Sequence, residues 1–309
     1  MQYMTAFVLN DPHSGTIAAG RVPVPQIAPD ELLVKVAATG VGIHDSYFLP
    51  AEMRFPYPIG IEAAGIVEQI GRDVLGYVPG DRIAFVSMRQ AKGGVWAEYA
   101  AVASDSLIVP IPEGLSFEEA AAVPVAGNTT SRALHSLPPI ASGGSIFIAG
   151  GSGAIGTFAL QLACARGWRV AASASPPNHD YLRSLGAELA VDYRDPTWPE
   201  KVRQWRPDGV EGALAVQPQT TEDAALTVRS GGTVVTVSGD QAAPPGIRVT
   251  GLDYQVNVRE ELVALMDDIV AGDLRLVIEK TYPFADALSA LDKTQTRHAR
   301  GKLVVTLGQ

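Results

Sequence analysis

Between Ile146 and Ala163 the chain reads as an apolar strand, the turn Gly151-Ser152-Gly153-Ala154-Ile155-Gly156, and an apolar-faced helix. Gly-x-Gly-x-x-Gly in that setting is the sequence context of a dinucleotide-binding βαβ unit. The first glycine permits the tight turn, the second lets a pyrophosphate reach the backbone, and the third lets helix and strand pack closely. The helix N-terminus then faces the phosphates. Such a turn can also serve packing alone, but the strand before it and the helix after it favour the cofactor.

The neighbouring sequence extends this pattern. Strand-like runs at Ser145 to Ala149, Trp168 to Ser173, Gly212 to Val216 and Thr233 to Val237 alternate with helical segments at Ile155 to Ala165, Asp180 to Leu185 and Glu222 to Val228. Alternation of this kind predicts an α/β fold with a doubly wound parallel sheet, the Rossmann arrangement, covered by helices on both faces. Residues 3–110 instead carry short runs such as Glu31 to Ala37, Ala64 to Ile70, Arg82 to Val86 and Trp96 to Val102, cut by Gly and Pro, which predict an all-β barrel or sandwich. Ser116, with Glu119 three residues on, predicts a capped helix start, and a domain boundary is expected close by. Glu260 to Ala271 and Asp286 to Leu291 read as amphipathic helices. Pattern alone does not place the last strand-like run, Lys302 to Leu307.

A length of 309 residues suits roughly two domains. With 47% hydrophobic and 18% charged residues, the chain reads as a soluble globular protein. A net charge of -9 argues against nucleic acid, whose binding is dominated by Lys and Arg contacts to phosphate. No charged leader precedes an apolar stretch, and no segment runs roughly 18 residues without polar interruption, so no membrane association and a cytoplasmic location are expected. The single cysteine, Cys164, rules out an intrachain disulfide and reads as a core residue of the apolar helix.

Several short stretches, in their shared order, resemble the zinc-free quinone oxidoreductase (zeta-crystallin-like) branch of the medium-chain dehydrogenase/reductase superfamily. They are Pro58-Ile-Gly60-Ile-Glu62-Ala-Ala-Gly65-Ile-Val67, Gly80-Asp81-Arg82, Trp96-Ala-Glu98-Tyr99, Ala126-Gly127-Asn-Thr129 and Leu185-Gly186-Ala187. The resemblance implies a GroES-like β-barrel catalytic domain over residues 1–121 and 259–309, and a Rossmann cofactor domain over 122–258, with the chemistry in the cleft between them. It also implies a homodimer, often formed by pairing edge strands of the cofactor sheets, to which Ser230 to Ser238 is a candidate contributor.

Zinc relatives carry Gly-His-Glu where this chain has Gly60-Ile61-Glu62, so an imidazole ligand has become an alkyl group. Four-coordinate zinc needs N or S donors that are missing here, and His13, His44, His135, His179 and His298 show no metal-ligand spacing. The expectation is therefore no metal and, without a Lewis acid, reduction of an already electrophilic substrate.

An Asp or Glu about 20 residues past the glycines marks NAD enzymes of this fold. Here Ala172-Ser173-Ala174-Ser175-Pro176-Pro177-Asn178 has no carboxylate, which favours NADPH over NADH. By resemblance, Ser175 meets the 2'-phosphate, Asn178 stands where relatives carry a lysine, and charge compensation comes from Arg297 or from Tyr193-Arg194. Thr129 matches a threonine reaching the nicotinamide carboxamide, with a helix N-cap as the competing role. Gly42 stands where relatives often have a ribose-contacting asparagine. Val237-Ser238-Gly239 ends a later strand, so Val237 and Gly239 are placed where ligands contact such sheets.

Tyr47, in Asp45-Ser46-Tyr47, resembles the family's Asp-Thr-Tyr and is the candidate donor to a carbonyl oxygen or proton relay, with simple packing as the alternative. Phe48, Phe55, Tyr57 and Trp96 are candidates to line an apolar pocket or to fill the core. The function implied is NADPH-dependent reduction of quinones or α,β-unsaturated carbonyls. An enoyl-thioester reductase and a non-catalytic NADPH-binding sensor or structural protein are the alternatives.

Overall fold

Glu31–Val41, the longest strand of the chain, organises the first of two units. One edge of it pairs antiparallel with Glu62–Ile70. Its other edge is divided: residues 31–35 pair with Tyr99–Ala103, and residues 38–41 pair with the last strand, Lys302–Thr306. Two register shifts, at Leu33/Val34 and Val36/Ala38, bend the strand and so let it serve several partners. Arg82–Val86 and Ile108–Pro110 continue the sheet beyond Glu62–Ile70, and Ile278–Pro283 runs parallel to Lys302–Thr306. A separate sheet joins Ile17–Pro23, Tyr3–Leu9 and Tyr57–Pro58. The computed structural model describes residues 2–11, 15–51, 53–87, 91–240 and 244–308.

Alternate strand residues point inward, and Phe7, Leu32, Val34, Phe85, Ile108, Leu303 and Val305 form one cluster with Trp96. The expected strand from Trp96 begins only at Tyr99, because the backbone of Trp96 to Glu98 pairs with Tyr3–Leu9 instead, the Trp96 carbonyl accepting the Phe7 N–H at 2.8 Å and the Glu98 N–H donating to the Thr5 carbonyl at 3.2 Å. The capping box is built as predicted: Ser116 Oγ accepts the Glu119 N–H at 3.2 Å, and Glu119 Oε2 accepts the Ser116 N–H at 2.9 Å. The first unit comprises Met1–Val125, Arg259–Asp273 and Ile278–Gln309.

The second unit, Ala126–Val258 with Leu274–Val277, is a six-stranded parallel sheet. Its order is Leu189–Val191, Arg169–Ser173, Ser145–Ala149, Val210–Ala215, Val228–Thr236, Arg248–Thr250. Strand order reverses between Ser145–Ala149 and Val210–Ala215, which is the switch point of a doubly wound sheet. Side chains alternate cleanly across it: Ile146, Ile148, Val170 and Leu214 enter one core, while Phe147, Ala171 and Ala213 enter the other. Phe147 stacks on Trp198 at 4.8 Å, with 14° between the planes.

The helix read as Glu222 to Val228 stops at Ala225, because Val228 already pairs with Val210. Ser230 to Ser238 is not the sheet edge: Val228–Thr236 is flanked on both sides, and Arg248–Thr250 is outermost. Cys164 is half-buried at the margin of its core, with its thiol pushed up by burial and by Glu188. Among the described residues, no helix is long and apolar enough to cross a membrane.

Candidate nucleotide and substrate sites

The glycine turn leaves the carboxyl end of Ser145–Ala149 and enters the helix Ala154–Ala165. Its three motif glycines sit in different surroundings. A Cβ on Gly156 would lie 2.3 Å from the Gly150 carbonyl oxygen and 2.6 Å from Gly151 Cα, so this glycine lets helix and turn touch. A Cβ on Gly151 would press to 2.8 Å against Ala172 Cβ. A Cβ on Gly153 would meet only the Gly150 oxygen, at 4.0 Å, so the backbone there faces open space. Gly153 is also the helix N-cap and brings no side chain to the first-turn N–H groups. An unobstructed backbone before uncapped N–H donors is what a bound phosphate requires. Ser152, Ala154 and Ile155 are half-buried around this opening.

Neighbouring strand ends hold the turn in place. Ser173 receives it twice, its carbonyl accepting the Gly151 N–H at 2.9 Å and its hydroxyl the Gly150 N–H at 3.2 Å. From the helix Pro124–His135, Thr130 donates its hydroxyl to the Ile155 carbonyl at 3.1 Å. Thr129 lies inside that helix, so its role as an N-cap is overturned. Just past Ser173, the Asn178 amide donates to Ser175 Oγ at 3.2 Å, which brings the two residues expected at the 2'-phosphate together. Arg194 is held by Asp192 through two contacts of 3.0 and 3.1 Å, so its charge is already matched, and the adjacent Tyr193 is exposed. Val237 and Gly239 follow the Val228–Thr236 strand at the same carboxyl edge. Asp240, absent from the sequence reading, fixes that turn by accepting from Thr221 N, Thr236 Oγ1 and Ser238 Oγ.

In the first unit, a buried polar group lies behind the turn Ile43–Ser46. Asp45 is 1% exposed and accepts the Gly42 N–H at 2.8 Å and the Ile61 N–H at 3.1 Å, tying this turn to the start of Glu62–Ile70. Glu62, equally buried, accepts the Val125 N–H at 2.7 Å and forms an ion pair with Lys302. Tyr47 lies at the surface with its ring 5.4 Å from Phe48, and burial raises its phenol pKa against the opposing charge of Arg297. Arg297 has φ of 59°, a left-handed conformation unusual for a side-chain-bearing residue. The structure thus brings Arg297 into the electrostatic neighbourhood of Tyr47 and His44 within this unit. Tyr57 and Trp96 are core residues, whereas Phe48 and Phe55 remain half-buried.

In the Gly60-Ile61-Glu62 stretch, Ile61 offers no metal donor, and the two Glu62 oxygens are engaged by the Val125 N–H and by Lys302. Among the described residues, no group of three or more His, Cys, Asp or Glu side chains is placed to hold a metal, and His13 lies outside the described residues.

Burial raises the Asp45 carboxyl to about 7, against the opposing pull of the Gly42 N–H and the Lys302 charge. A folded-state pKa above the unfolded value means the native state holds the extra proton between about pH 4 and 7, so stability falls as pH rises through that window. Urea unfolding of wild type and Asp45→Asn at pH 5 and pH 8 is expected to show this component of the decline in the wild type alone. Equal declines in both proteins would refute it.

The comparisons with known proteins agree with this geometry. Residues 28–113 match the family described as alcohol dehydrogenase GroES-like domain, and residues 185–305 match the one described as zinc-binding dehydrogenase. A 2-methylene-furan-3-one reductase of Solanum lycopersicum is 31% identical over 299 residues, covering 92% of this chain and 74% of that protein. A chloroplastic NADPH-dependent alkenal/one oxidoreductase of Arabidopsis thaliana is 30% identical with the same coverage. The solved structure of the quinone oxidoreductase from Coxiella burnetii matches with a TM-score of 0.86 at 25% identity, covering 99% of this chain and all of that one. With a mainly antiparallel GroES-like unit, a parallel Rossmann unit and relatives of these kinds, the chain belongs to the medium-chain dehydrogenase/reductase superfamily.

Proposed function

We propose that this protein is an NADPH-dependent reductase of quinones or α,β-unsaturated carbonyls that works without zinc. The observation that carries the reading is the glycine turn, packed tight at Gly151 and Gly156 and open at Gly153, at the switch point of a parallel sheet. In this reading the N–H groups of Ser152 to Gly156 hold the pyrophosphate. Ser175 and Asn178 hydrogen-bond the 2'-phosphate, Thr129 meets the carboxamide, Val237 and Gly239 line the nicotinamide end, and Tyr193 and Arg297 flank the nucleotide. NADPH supplies the hydride. Tyr47, a phenol protonated at neutral pH, donates to the carbonyl oxygen as negative charge grows there.

An enoyl-thioester reductase would need free cations for carrier or coenzyme A phosphates. Around the parallel sheet Arg194, Arg169 and Lys201 are each matched by a carboxylate, so these three do not supply such a cation. NADPH consumption with benzoquinone, phenanthrenequinone and a series of small enones tests the proposal. Turnover with at least one acceptor is expected, whereas tight NADPH binding with no oxidation by any of them would favour a sensor.

Ser175 and Asn178 give a 2'-phosphate hydrogen bonds but no formal charge. Asn178→Lys is therefore expected to tighten NADPH binding about tenfold, the scale of one added charge-assisted hydrogen bond, with NADH unchanged. Fluorescence titration of both nucleotides measures this, and equal tightening for NADH would remove the 2'-phosphate from this position.

A further inference from the structure

Beside Tyr47 stands a second polar ring to which the reading above gives no role. His44 is half-buried on the Ile43–Ser46 turn, 4.6 Å from the Phe48 ring with 33° between the planes, and 5.3 Å from Tyr47. Its backbone carbonyl accepts the N–H groups of Tyr47 and Phe48 at 3.1 and 2.8 Å, so the three rings are fixed by one turn. That turn is anchored from behind by Asp45. Among the described residues, neither nitrogen of the His44 ring hydrogen-bonds to the protein.

Four ionisable groups stand around it. Lys302 comes from the last strand and Arg297 from the segment before it, Asp45 is on its own turn, and Glu62 is paired with Lys302. Burial, then Lys302 and Arg297, hold the imidazole below its usual pKa, so at neutral pH it is uncharged, with one N–H to give. A directional N–H with the Arg297 charge nearby suits an oxygen on which negative charge develops.

We propose that His44 is a second hydrogen-bond donor, beside Tyr47, to the carbonyl oxygen of the acceptor. The inference rests on the reductase reading. The β-carbon gains a hydride, with its electron pair, from NADPH; the alkene π pair shifts toward the carbonyl carbon, and the carbonyl π pair moves onto oxygen. The enolate oxygen is then held by the His44 N–H and the Tyr47 O–H. A solvent proton adds to the α-carbon, leaving NADP+ and the saturated ketone.

His44→Phe keeps the ring packing and removes both nitrogens, whereas His44→Gln keeps an N–H donor. With the preferred acceptor, kcat/KM is expected to fall on the order of 100-fold in His44→Phe, the usual scale for one lost oxyanion donor. In His44→Gln it should recover to within about tenfold of wild type, with NADPH affinity unchanged in both variants. In parallel, 4-nitrophenolate, an enolate mimic, should shift the His44 ring resonances in NMR and bind about tenfold weaker to His44→Phe. Wild-type rates in His44→Phe would overturn the role of His44 while leaving the reductase intact. Absence of turnover in wild type, with the phenolate still bound at His44, would sink the reductase and keep the oxyanion site. Failure of both readouts would remove both.

Discussion

Gly156→Ala is expected to lose NADPH binding by about 100-fold and to unfold more readily even without nucleotide. The new methyl would lie 2.3 Å from the Gly150 oxygen, 2.6 Å from Gly151 Cα and 2.8 Å from the Gly151 carbonyl carbon, all backbone atoms that no rotamer change can move. Relief requires pushing the helix Ala154–Ala165 off the turn, an overpacking cost of about 1–3 kcal/mol. The same displacement withdraws the N–H groups proposed to face the pyrophosphate, and a loss near 3 kcal/mol is about 100-fold in affinity. Gly153→Ala separates the two effects. Its methyl enters open space at φ -78° and ψ 175°, which alanine adopts freely, so stability should change by no more than about 1 kcal/mol. Its NADPH affinity should still drop, because the methyl occupies the approach of the phosphate. Thermal unfolding of both apoproteins, followed by NADPH titration, checks the pair. A Gly153→Ala protein that binds NADPH like wild type would remove the pyrophosphate from this turn.

Lys302→Met is expected to produce a large stability loss in the first unit. The Lys302 and Glu62 side chains are 6% and 1% exposed, so deleting the cation strands a carboxylate in the interior. Breaking one partner of a buried pair costs about 3–5 kcal/mol, which corresponds to roughly a 10 °C fall in Tm at this domain size. Gly40 leaves no slack for the carboxylate to move: a Cβ there would already lie 2.7 Å from the Glu62 carboxyl carbon and 2.4 Å from the Ala121 oxygen. Glu62→Gln combined with Lys302→Met removes both charges and keeps an acceptor for the Val125 N–H, so it should recover more than half of the loss. Equal Tm values for the single and double variants would mean the charge pair is not what holds these residues.

What the sequence discloses about this fold is mostly local. Ser116 and Glu119 are three residues apart, and their capping box was legible because helix geometry alone brings them together. The glycine turn was legible for the same reason, as was Arg82–Val86, whose short apolar run between turns coincides with its strand. Contacts that depend on the whole chain path were not. Lys302 and Glu62 are 240 positions apart and meet only because the last strand pairs with residues 38–41, a partner no periodicity could name. Arg194 was a candidate for charge compensation at the 2'-phosphate, and its bond to Asp192 depends on how the segment turns after Leu189–Val191. Trp96 and Tyr57 suited a pocket wall and a core equally well by composition, and burial in the structure decides for the core, Trp96 in one cluster with Phe7 and Ile59. His44 carried no motif, and its significance comes from the company of Phe48, Tyr47, Lys302 and Arg297 in space.

The central claim is hydride transfer from nicotinamide to a conjugated carbon. NADPH deuterated at the transferable C4 position, incubated with the protein and a small enone, addresses it in one product analysis by NMR. Deuterium at the β-carbon of a saturated ketone, with a solvent-derived proton at the α-carbon, is the expected result. Deuterium on the carbonyl carbon of an alcohol, or a reduced product free of label, would contradict it.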